Sequence, residues 1–521
     1  MSEINLEIPE KLNIAVDLVD KNIQRGNGSK VAIYYQDQQL TYEDVYKSVN
    51  KTGNALKSLG IGIEDRVLLL VFDSPEFVAG FFGAIKIGAV PIPTNTMLKP
   101  KDYLYLLNDS RAKVAVVSEA LAPLIEEVRS ELLYLRELVV VGNAGPNQLS
   151  FAELVAGAND ELTAADTGKD DPAFWLYSSG TTGFPKGTVH LQHDILVACE
   201  LYGKGILNIT ENDITFSIAK LFFAYGLGNG LYFPFYVGAS TVLYPDRFLP
   251  DVYFDLVKKF KPTLFFGVPT AYGAMLQAAD SISDIDVSSV RYCVSAGEAL
   301  PKAIFESWKN RFNLIILDGI GSTEITHIFI SNRPDDVKPG TSGKPVPGYE
   351  AKIVDQDGNK LPDGELGTLM IKGDSIAAYY WNKHEKTKET FYGPWIITGD
   401  QYYVDPEGYY TYVGRGDDMI KAGGIWVSPV EVESTIMEHP AVLECGVIGA
   451  VDQDNLIKPK AYVVLKEGFS ASEELVTELK AFVKERIALY KYPRWIEFTQ
   501  ELPKTATGKI MRFMLRKLNE E

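Results

Sequence analysis

The sequence predicts an α/β protein: a large N-terminal domain of parallel βα layers with a small β-rich subdomain, then a small α/β C-terminal domain. Three observations carry this. Apolar strand-like runs alternate with helix-like runs from the N-terminus onward. Past residue 340 the texture changes to short strands punctuated by turn dipeptides. Beyond Gly414 to Asp418 a helix-start signal opens a further stretch of strands and helix, about a hundred residues that read as an autonomous module.

Val31 to Tyr35 reads as the first strand. A helix follows Thr41, with Val45, Val49, Leu56 and Leu59 on one face and Gly60 at its end. Val67 to Phe72 is wholly apolar, and Ser74 with Pro75 supplies an N-cap and first-turn pair for a helix through Lys86. Strand Ala89 to Ile92, a helix around Asp102 to Asn108 and strand Lys113 to Val117 continue the alternation, which implies parallel sheets covered by helices. The uncharged run Leu221 to Pro245 could span a bilayer by length. Its Gly226, Gly228, Asn229, Gly230, Pro234 and Gly238 would open backbone groups to lipid, so buried strands and loops are expected there. The pairs Asp357-Gly358, Asp363-Gly364 and Glu407-Gly408 signal hairpins. Ser428-Pro429-Val430-Glu431 reads as a capping box. Strands at Val442 to Ile448 and Lys460 to Leu465 follow it, then a helix with Leu475, Leu479, Phe482, Val483 and Ile487 facing inward.

A chain of 521 residues exceeds what one core sustains, so several domains are expected. With 51 Lys plus Arg against 69 Asp plus Glu, the net charge is −18, which repels nucleic acid and anionic bilayers; neither is an expected partner. Cys199, Cys293 and Cys445 show no paired spacing, as in a reducing compartment. The first twenty residues carry Glu3, Glu7 and Glu10 and no basic start with an apolar block, so a cytoplasmic location is expected. His190, His193, His384 and His439 have no metal-ligand spacing and are read as structural or exposed.

The most informative stretch is Tyr177-Ser178-Ser179-Gly180-Thr181-Thr182-Gly183-Phe184-Pro185-Lys186-Gly187, directly after strand-like Ala173 to Leu176. Hydroxyls, glycine-freed backbone N–H groups and one lysine are what a polyphosphate requires. The spacing does not satisfy GxxxxGK[ST], which argues against a P-loop NTPase. The segment resembles the phosphate loop of the adenylate-forming superfamily: acyl-CoA and aryl-CoA ligases, luciferases and adenylation domains of peptide synthetases. Further motifs occur in the family's order: Ser295-Ala296-Gly297-Glu298, Asp318-Gly319-Ile320-Gly321-Ser322-Thr323-Glu324, Thr398-Gly399-Asp400, Gly414-Arg415-Gly416-Asp417-Asp418 and Pro503-Lys504-Thr505-Ala506-Thr507-Gly508-Lys509. The resemblance covers nearly the whole chain.

That resemblance implies two half-reactions: a carboxylate attacks the α-phosphate of ATP to give acyl-AMP and pyrophosphate, then the thiol of coenzyme A displaces AMP. It implies that Ser178, Ser179, Gly180, Thr181, Thr182, Gly183 and Lys186 hold the β- and γ-phosphates. Glu324 would hold a bridging Mg²⁺, with Thr323 near the α-phosphate. Asp400 would accept from the ribose hydroxyls, a carboxylate being suited to a vicinal diol. Gly297, Glu298, Asp318, Gly319 and Ile320 would line the adenine side, leading into Gly321 and Ser322. Ile320 stands where many relatives have an aromatic residue, so adenine is expected to meet an aliphatic face. Lys509 would bridge the attacking carboxylate and the α-phosphate, and Arg415 would touch ribose and phosphate. Asp417 matches the hinge of a mobile C-terminal domain, which places the domain boundary between 1–416 (340–416 being the β-rich subdomain) and 417–521. Ala422, Gly423 and Gly424 would flank the pantetheine arm, with Tyr490 and Arg494 on the CoA nucleotide.

The segments Phe222 to Gly226 and Gly321 to Phe329, with Lys421 to Pro429, look like those of benzoate-type CoA ligases, in which Ala224, Tyr225, Gly321, His327 and Ile328 would surround the ring. The implied substrate is benzoate or a close aromatic carboxylate, with ATP, Mg²⁺ and coenzyme A, in a monomer or homodimer. A ligase for an alicyclic, hydroxylated, aminated or heteroaromatic acid of similar size stays open. An adenylation enzyme loading a carrier protein is disfavoured by the missing carrier domain. A non-catalytic adenylate sensor would not need Lys509, Glu324 and Asp417 together.

Overall fold

The computed structural model describes residues 6–178, 185–416, 418–422, 425–452, 456–505 and 509–520. Two parallel sheets dominate the N-terminal part, as the strand and helix alternation predicts. Five strands run parallel in the spatial order Val90–Pro93, Arg66–Leu70, Val114–Ser118, Glu137–Val141 and Leu149–Ser150. A nine-stranded sheet has a parallel centre of Ile316–Gly321, Tyr292–Ser295, Leu264–Gly267, Ile214–Ser217, Ser240–Leu243 and Val31–Tyr35. Antiparallel strands close its two edges: Ile328–Ser331 with Lys344–Pro345 at one, Gln38–Thr41 at the other.

Between the sheets lies the helix Pro75–Lys86. It starts at Ser74, whose Oγ accepts from the Phe77 N–H at 3.4 Å, with Pro75 at the first helical position where no N–H is needed. The helix is apolar all round because it is buried all round: Phe81 and Phe82 share one core with Leu69 of the five-stranded sheet and Phe266 of the nine-stranded sheet. The neighbouring helix Tyr42–Ser58 opens with a reciprocal cap between Thr41 and Asp44.

The run Leu221 to Pro245 corrects the sequence reading. It is mostly helical from Ala224 to Val237, and Ser240–Leu243 is its one strand. Its glycines serve close approach: a Cβ on Gly226 would lie 2.1 Å from the Lys220 carbonyl oxygen, and one on Gly228 would lie 2.4 Å from the His327 ring. Pro234 lies just after the wider π-turn Gly228–Tyr232 inside this helical run, so its missing N–H falls where the regular helical ladder is already interrupted. Among the described residues, no helix is long and apolar enough to cross a membrane.

The strands around the glycine-rich loop, Pro172–Ser178 and Lys186–Leu191, pair antiparallel, with Tyr379–Tyr380 joining the second. After residue 340 come the short strands that the turn dipeptides announce: Glu350–Val354, Gly367–Lys372, Phe391–Tyr392, Trp395–Val404 and Tyr410–Arg415 in one antiparallel sheet. The C-terminal unit packs helices Pro429–Met437 and Glu473–Arg486 on the sheet Val442–Val451, Ile457–Leu465 and Trp495–Phe498 around its own apolar cluster. Its expected capping box is half formed. Ser428 Oγ accepts from the Glu431 N–H at 3.1 Å, but the Glu431 carboxylate goes to Lys491 at 2.6 Å.

The last helix, Arg512–Glu520, is tied down at its start. Arg512 donates to both Glu433 oxygens at 2.7 to 3.1 Å, and Glu433 also accepts from the Val447 N–H at 2.7 Å. Removing Glu433 leaves Arg512 with Asp418 at 3.5 Å as its remaining carboxylate and takes the acceptor from the Val447 N–H. Glu433→Ala is therefore expected to destabilise the C-terminal unit by about 3–5 kcal/mol, read in a denaturant titration followed by tryptophan fluorescence. A loss below about 1 kcal/mol would place the pair in the class of exposed bridges.

Candidate active site

The strand Ile316–Gly321 ends in a tight turn, Thr323–Ile325, and the chain returns at once as strand Ile328–Ser331. The reversal is possible because Gly321 has no side chain: a Cβ there would lie 2.7 Å from the His327 carbonyl oxygen. One short segment thus presents Thr323 and Glu324 on one side and His327 and Ile328 on the other.

Glu324 is held by two hydroxyls. Ser178 Oγ and Tyr380 Oη donate to its Oε1 at 3.0 and 2.8 Å, and its own carbonyl accepts from the Ala377 N–H at 2.9 Å. The Lys186 ammonium lies 4.3 Å from the Tyr380 ring centre, a cation–π contact. Burial pulls Lys186 below the usual lysine range, with Glu324 opposing the shift. A single carboxylate among hydroxyls is the donor set expected for Mg²⁺, an ion that keeps phosphate oxygens and waters in its remaining positions. Among the described residues, no group of three or more His, Cys, Asp or Glu could hold a metal by itself.

A second cluster faces Glu324. Asp400 on strand Trp395–Val404 is buried, and Arg415 on the paired strand Tyr410–Arg415 donates to its Oδ1 at 3.2 Å. Burial pushes the Asp400 carboxyl above its ordinary range, opposed by Arg415 and Lys509. Such a carboxylate has acceptor capacity to offer incoming hydroxyl donors. Lys509 reaches this region from the C-terminal unit, its Cε 3.7 Å from where a side chain on Gly297 would begin. Glu298 secures that approach by accepting from the Ile510 N–H at 3.0 Å, while burial raises the Glu298 carboxyl.

Two cavities meet here. One, of about 870 Å³, is lined by Ala224, Tyr225, His327 and Ile328; the other, of about 620 Å³, by Glu324, Asp318, Ile320, Asp400 and Arg415. Gly297, Glu298, Gly321, Ser322, Thr323 and Lys509 border both. In the first cavity the Tyr225 hydroxyl faces two sheet carbonyls, Val294 at 3.1 Å and Gly267 at 3.2 Å. His327 is buried, its Nε2 lying 3.2 Å from the Tyr225 carbonyl and 3.1 Å from Asn229 Oδ1. Two acceptors there mean that Nε2 carries the hydrogen. Burial pulls the ring's pKa down to about 3, so it is neutral.

The structure thus brings together Ser178, Lys186, Gly297, Glu298, Asp318 to Glu324, Asp400, Arg415 and Lys509, with Ala224, Tyr225, His327 and Ile328 alongside. Ala422, Tyr490 and Arg494 line neither cavity. Arg494 lies 4.4 Å from the Tyr492 ring centre, and Tyr490 is exposed. Ser179, Gly180, Thr181, Thr182, Gly183, Asp417, Gly423 and Gly424 lie outside the described residues. Tyr380, inside the plain strand Tyr379–Tyr380, had no sequence signal, and Glu298, expected on the adenine side, is also the acceptor for the Lys509 segment.

Residues 19–381 match the family described as AMP-binding enzyme, and residues 431–509 match the AMP-binding enzyme C-terminal domain. The chain is 51% identical to a benzoate–CoA ligase of Thauera aromatica, covering 98% of this chain and 97% of that protein. It superposes on a crystal structure of an anthranilate CoA ligase in complex with anthranoyl-AMP with a TM-score of 0.95 at 46% identity, over 98% of each chain. A benzoate CoA ligase from Burkholderia xenovorans LB400 superposes with a TM-score of 0.89 at 46% identity, over 97% of this chain and 99% of the other.

Asp318 yields a pH test. Burial raises its pKa from 3.8 to about 8, against the Leu300 N–H that reaches its Oδ2 at 3.4 Å. Between those values the folded protein holds a proton that the unfolded chain has released, so stability from this group falls as pH rises. Asp318→Asn, neutral throughout, should gain on the wild type by about 1.4 kcal/mol per pH unit from pH 5 to 7, the gain levelling off near pH 8, read in thermal melts. A difference that stays flat would mean that Asp318 is already ionised in the folded state.

Proposed function

The chain belongs to the AMP-binding enzyme family, and from that premise we propose that it is an AMP-forming aryl-CoA ligase acting on benzoate or a close aromatic carboxylate. The products are aryl-CoA, AMP and pyrophosphate. The observation that carries this reading is the shared rim of the two cavities. A carboxylate in the first would meet an α-phosphate in the second at Thr323, beside Lys509.

In the first half-reaction a carboxylate oxygen attacks the α-phosphorus and pyrophosphate leaves. Both reactants are anions, so fixed cations and oriented donors do most of the work. Lys509 draws the carboxylate and the α-phosphate oxygen together; Lys186 neutralises the outer phosphates, and the Ser178 hydroxyl steadies Glu324 beside them. Mg²⁺ on Glu324 would add charge neutralisation across the phosphates. Asp400 fixes the ribose, holding the α-phosphate in line. In the second half-reaction the thiolate of coenzyme A attacks the acyl carbon and AMP leaves, a step in which no carboxylate has to be brought against the α-phosphate, the task given to Lys509.

The acyl cavity suits a flat ring. Tyr225 is anchored to the sheet, Gly321 admits no side chain, and Ala224 is small. A second reading, a ring bearing an amino or hydroxyl group, is favoured by the likeness to the anthranilate ligase.

The experiment is a panel of acids (benzoate, 2-aminobenzoate, 4-hydroxybenzoate, cyclohexanecarboxylate, acetate) assayed for CoA-dependent AMP formation. Aryl acids should lead it; preference for acetate would overturn the substrate class. Lys509→Ala should lower pyrophosphate release by about 10²–10³ while thioester formation from supplied benzoyl-AMP persists. Ala224→Leu should raise KM for benzoate with the KM for ATP nearly unchanged, the signature of lost substrate fit.

A further inference from the structure

We propose that His190, backed by Asp194, is a positioning residue for adenylation that fixes the Thr323–Glu324 turn from beneath. The proposal rests on the reading above that this turn works on the ATP phosphates. His190 lies on the strand Lys186–Leu191, four residues after Lys186, so both side chains leave the strand on one face. Its ring is fully buried and stacked on Phe174 with centroids 4.8 Å apart. Nε2 lies 2.8 Å from the Thr323 carbonyl oxygen. A carbonyl only accepts, so Nε2–H donates. Nδ1 lies 2.8 Å from Asp194 Oδ2, and Asp194 is itself fully buried at the start of the following helix, where the Leu191 N–H also reaches Oδ2 at 3.2 Å. A carboxylate likewise accepts, so Nδ1–H donates to Asp194, and this second bond fixes the ring plane and keeps the Nε2–H aimed at Thr323.

The turn needs such a hold. Thr326, directly after it, has φ +69° and ψ −50°, with the His327 N–H bonded back to the Ile325 carbonyl at 2.8 Å. This is a three-residue turn of the strained hand, in a β-branched residue for which positive φ is a true outlier. Such backbone persists only where its surroundings over-determine it. Here Thr326 Oγ1 lies 3.2 Å from His190 Nδ1 and donates to the Ser375 carbonyl at 2.9 Å. The histidine thus touches the turn at both ends, at the Thr323 carbonyl and the Thr326 hydroxyl. Without it the strain can relax by moving Thr323 and Glu324, and displacements near 1 Å in a phosphoryl-transfer site cost rate steeply.

Two variants separate positioning from bulk stability. In His190→Asn the amide sits near the Nδ1 position and cannot reach Thr323. In His190→Gln the amide N–H sits near the Nε2 position and can. Single-turnover pyrophosphate release with benzoate and MgATP should fall about 10- to 100-fold in His190→Asn and recover in His190→Gln. Transfer from supplied benzoyl-AMP to CoA should stay near the wild-type rate in both. Equal losses in the two half-reactions, unchanged adenylation, or no recovery in His190→Gln would overturn the proposal. MgATP binding by calorimetry, which needs no acid, should weaken in His190→Asn and recover in His190→Gln. That readout still decides the proposal if the wild type proves inert to benzoate, an outcome that would count against the substrate reading alone. Should His190→Asn not fold, Asp194→Asn carries the test, with selective loss of adenylation as support and uniform loss as refutation.

Discussion

The arrangement depends on one steric fact: the backbone at Gly321 passes so close to the His327 carbonyl that no side chain fits between them. That contact lets a parallel strand reverse within a few residues and return along itself. A longer loop would separate the two faces of the turn. Instead Glu324 and His327, three residues apart, border different cavities. The distance between the acid-binding and nucleotide-binding spaces is therefore set by the backbone closure at Gly321, with the His190 and Thr326 side-chain contacts holding the turn in that shape.

Charge is distributed around that closure in a consistent way. Of the carboxyls at its edge, Asp318 and Asp400 are buried and Glu298 is half-buried, and loss of solvation raises the pKa of each. They are costly where they stand, and each would gain from a donor or cation brought in by a ligand. The C-terminal unit supplies part of this itself, since the Ile510 N–H and the Lys509 ammonium arrive together at Glu298. Docking of that unit and assembly of a cationic site are one event.

Most of the fold could be read from the chain because its signals are local. Ser74-Pro75 and Thr41 mark helix starts that the structure places at those residues, and the turn dipeptides after 340 announce an antiparallel sheet. The misreading of Leu221 to Pro245 has a clear cause. Glycine breaks helices when isolated in water, but Gly226 and Gly228 sit against the Lys220 carbonyl and the His327 ring, a tertiary demand that no local rule sees. In the site, residues inside ordered motifs, such as Glu324, Asp400 and Lys509, were legible by resemblance. Tyr380 and the His190–Asp194 pair were not, because what makes them useful is who lies opposite them in space.

The anchoring of Tyr225 has a consequence for how such an acyl site can diversify. Its hydroxyl faces the Gly267 and Val294 carbonyls, oxygens of two central strands. The floor of the cavity is thus part of the sheet's own hydrogen-bonding system, and deepening it by replacing Tyr225 would take a donor from the Gly267 carbonyl, while Val294 would keep the Tyr272 hydroxyl at 2.8 Å. Broader or longer acids have to be accommodated at the rim, where Ala224 and the segment after Gly321 can change without unpairing a strand. Lineages descending from such an ancestor would vary in ring decoration far more readily than in ring depth.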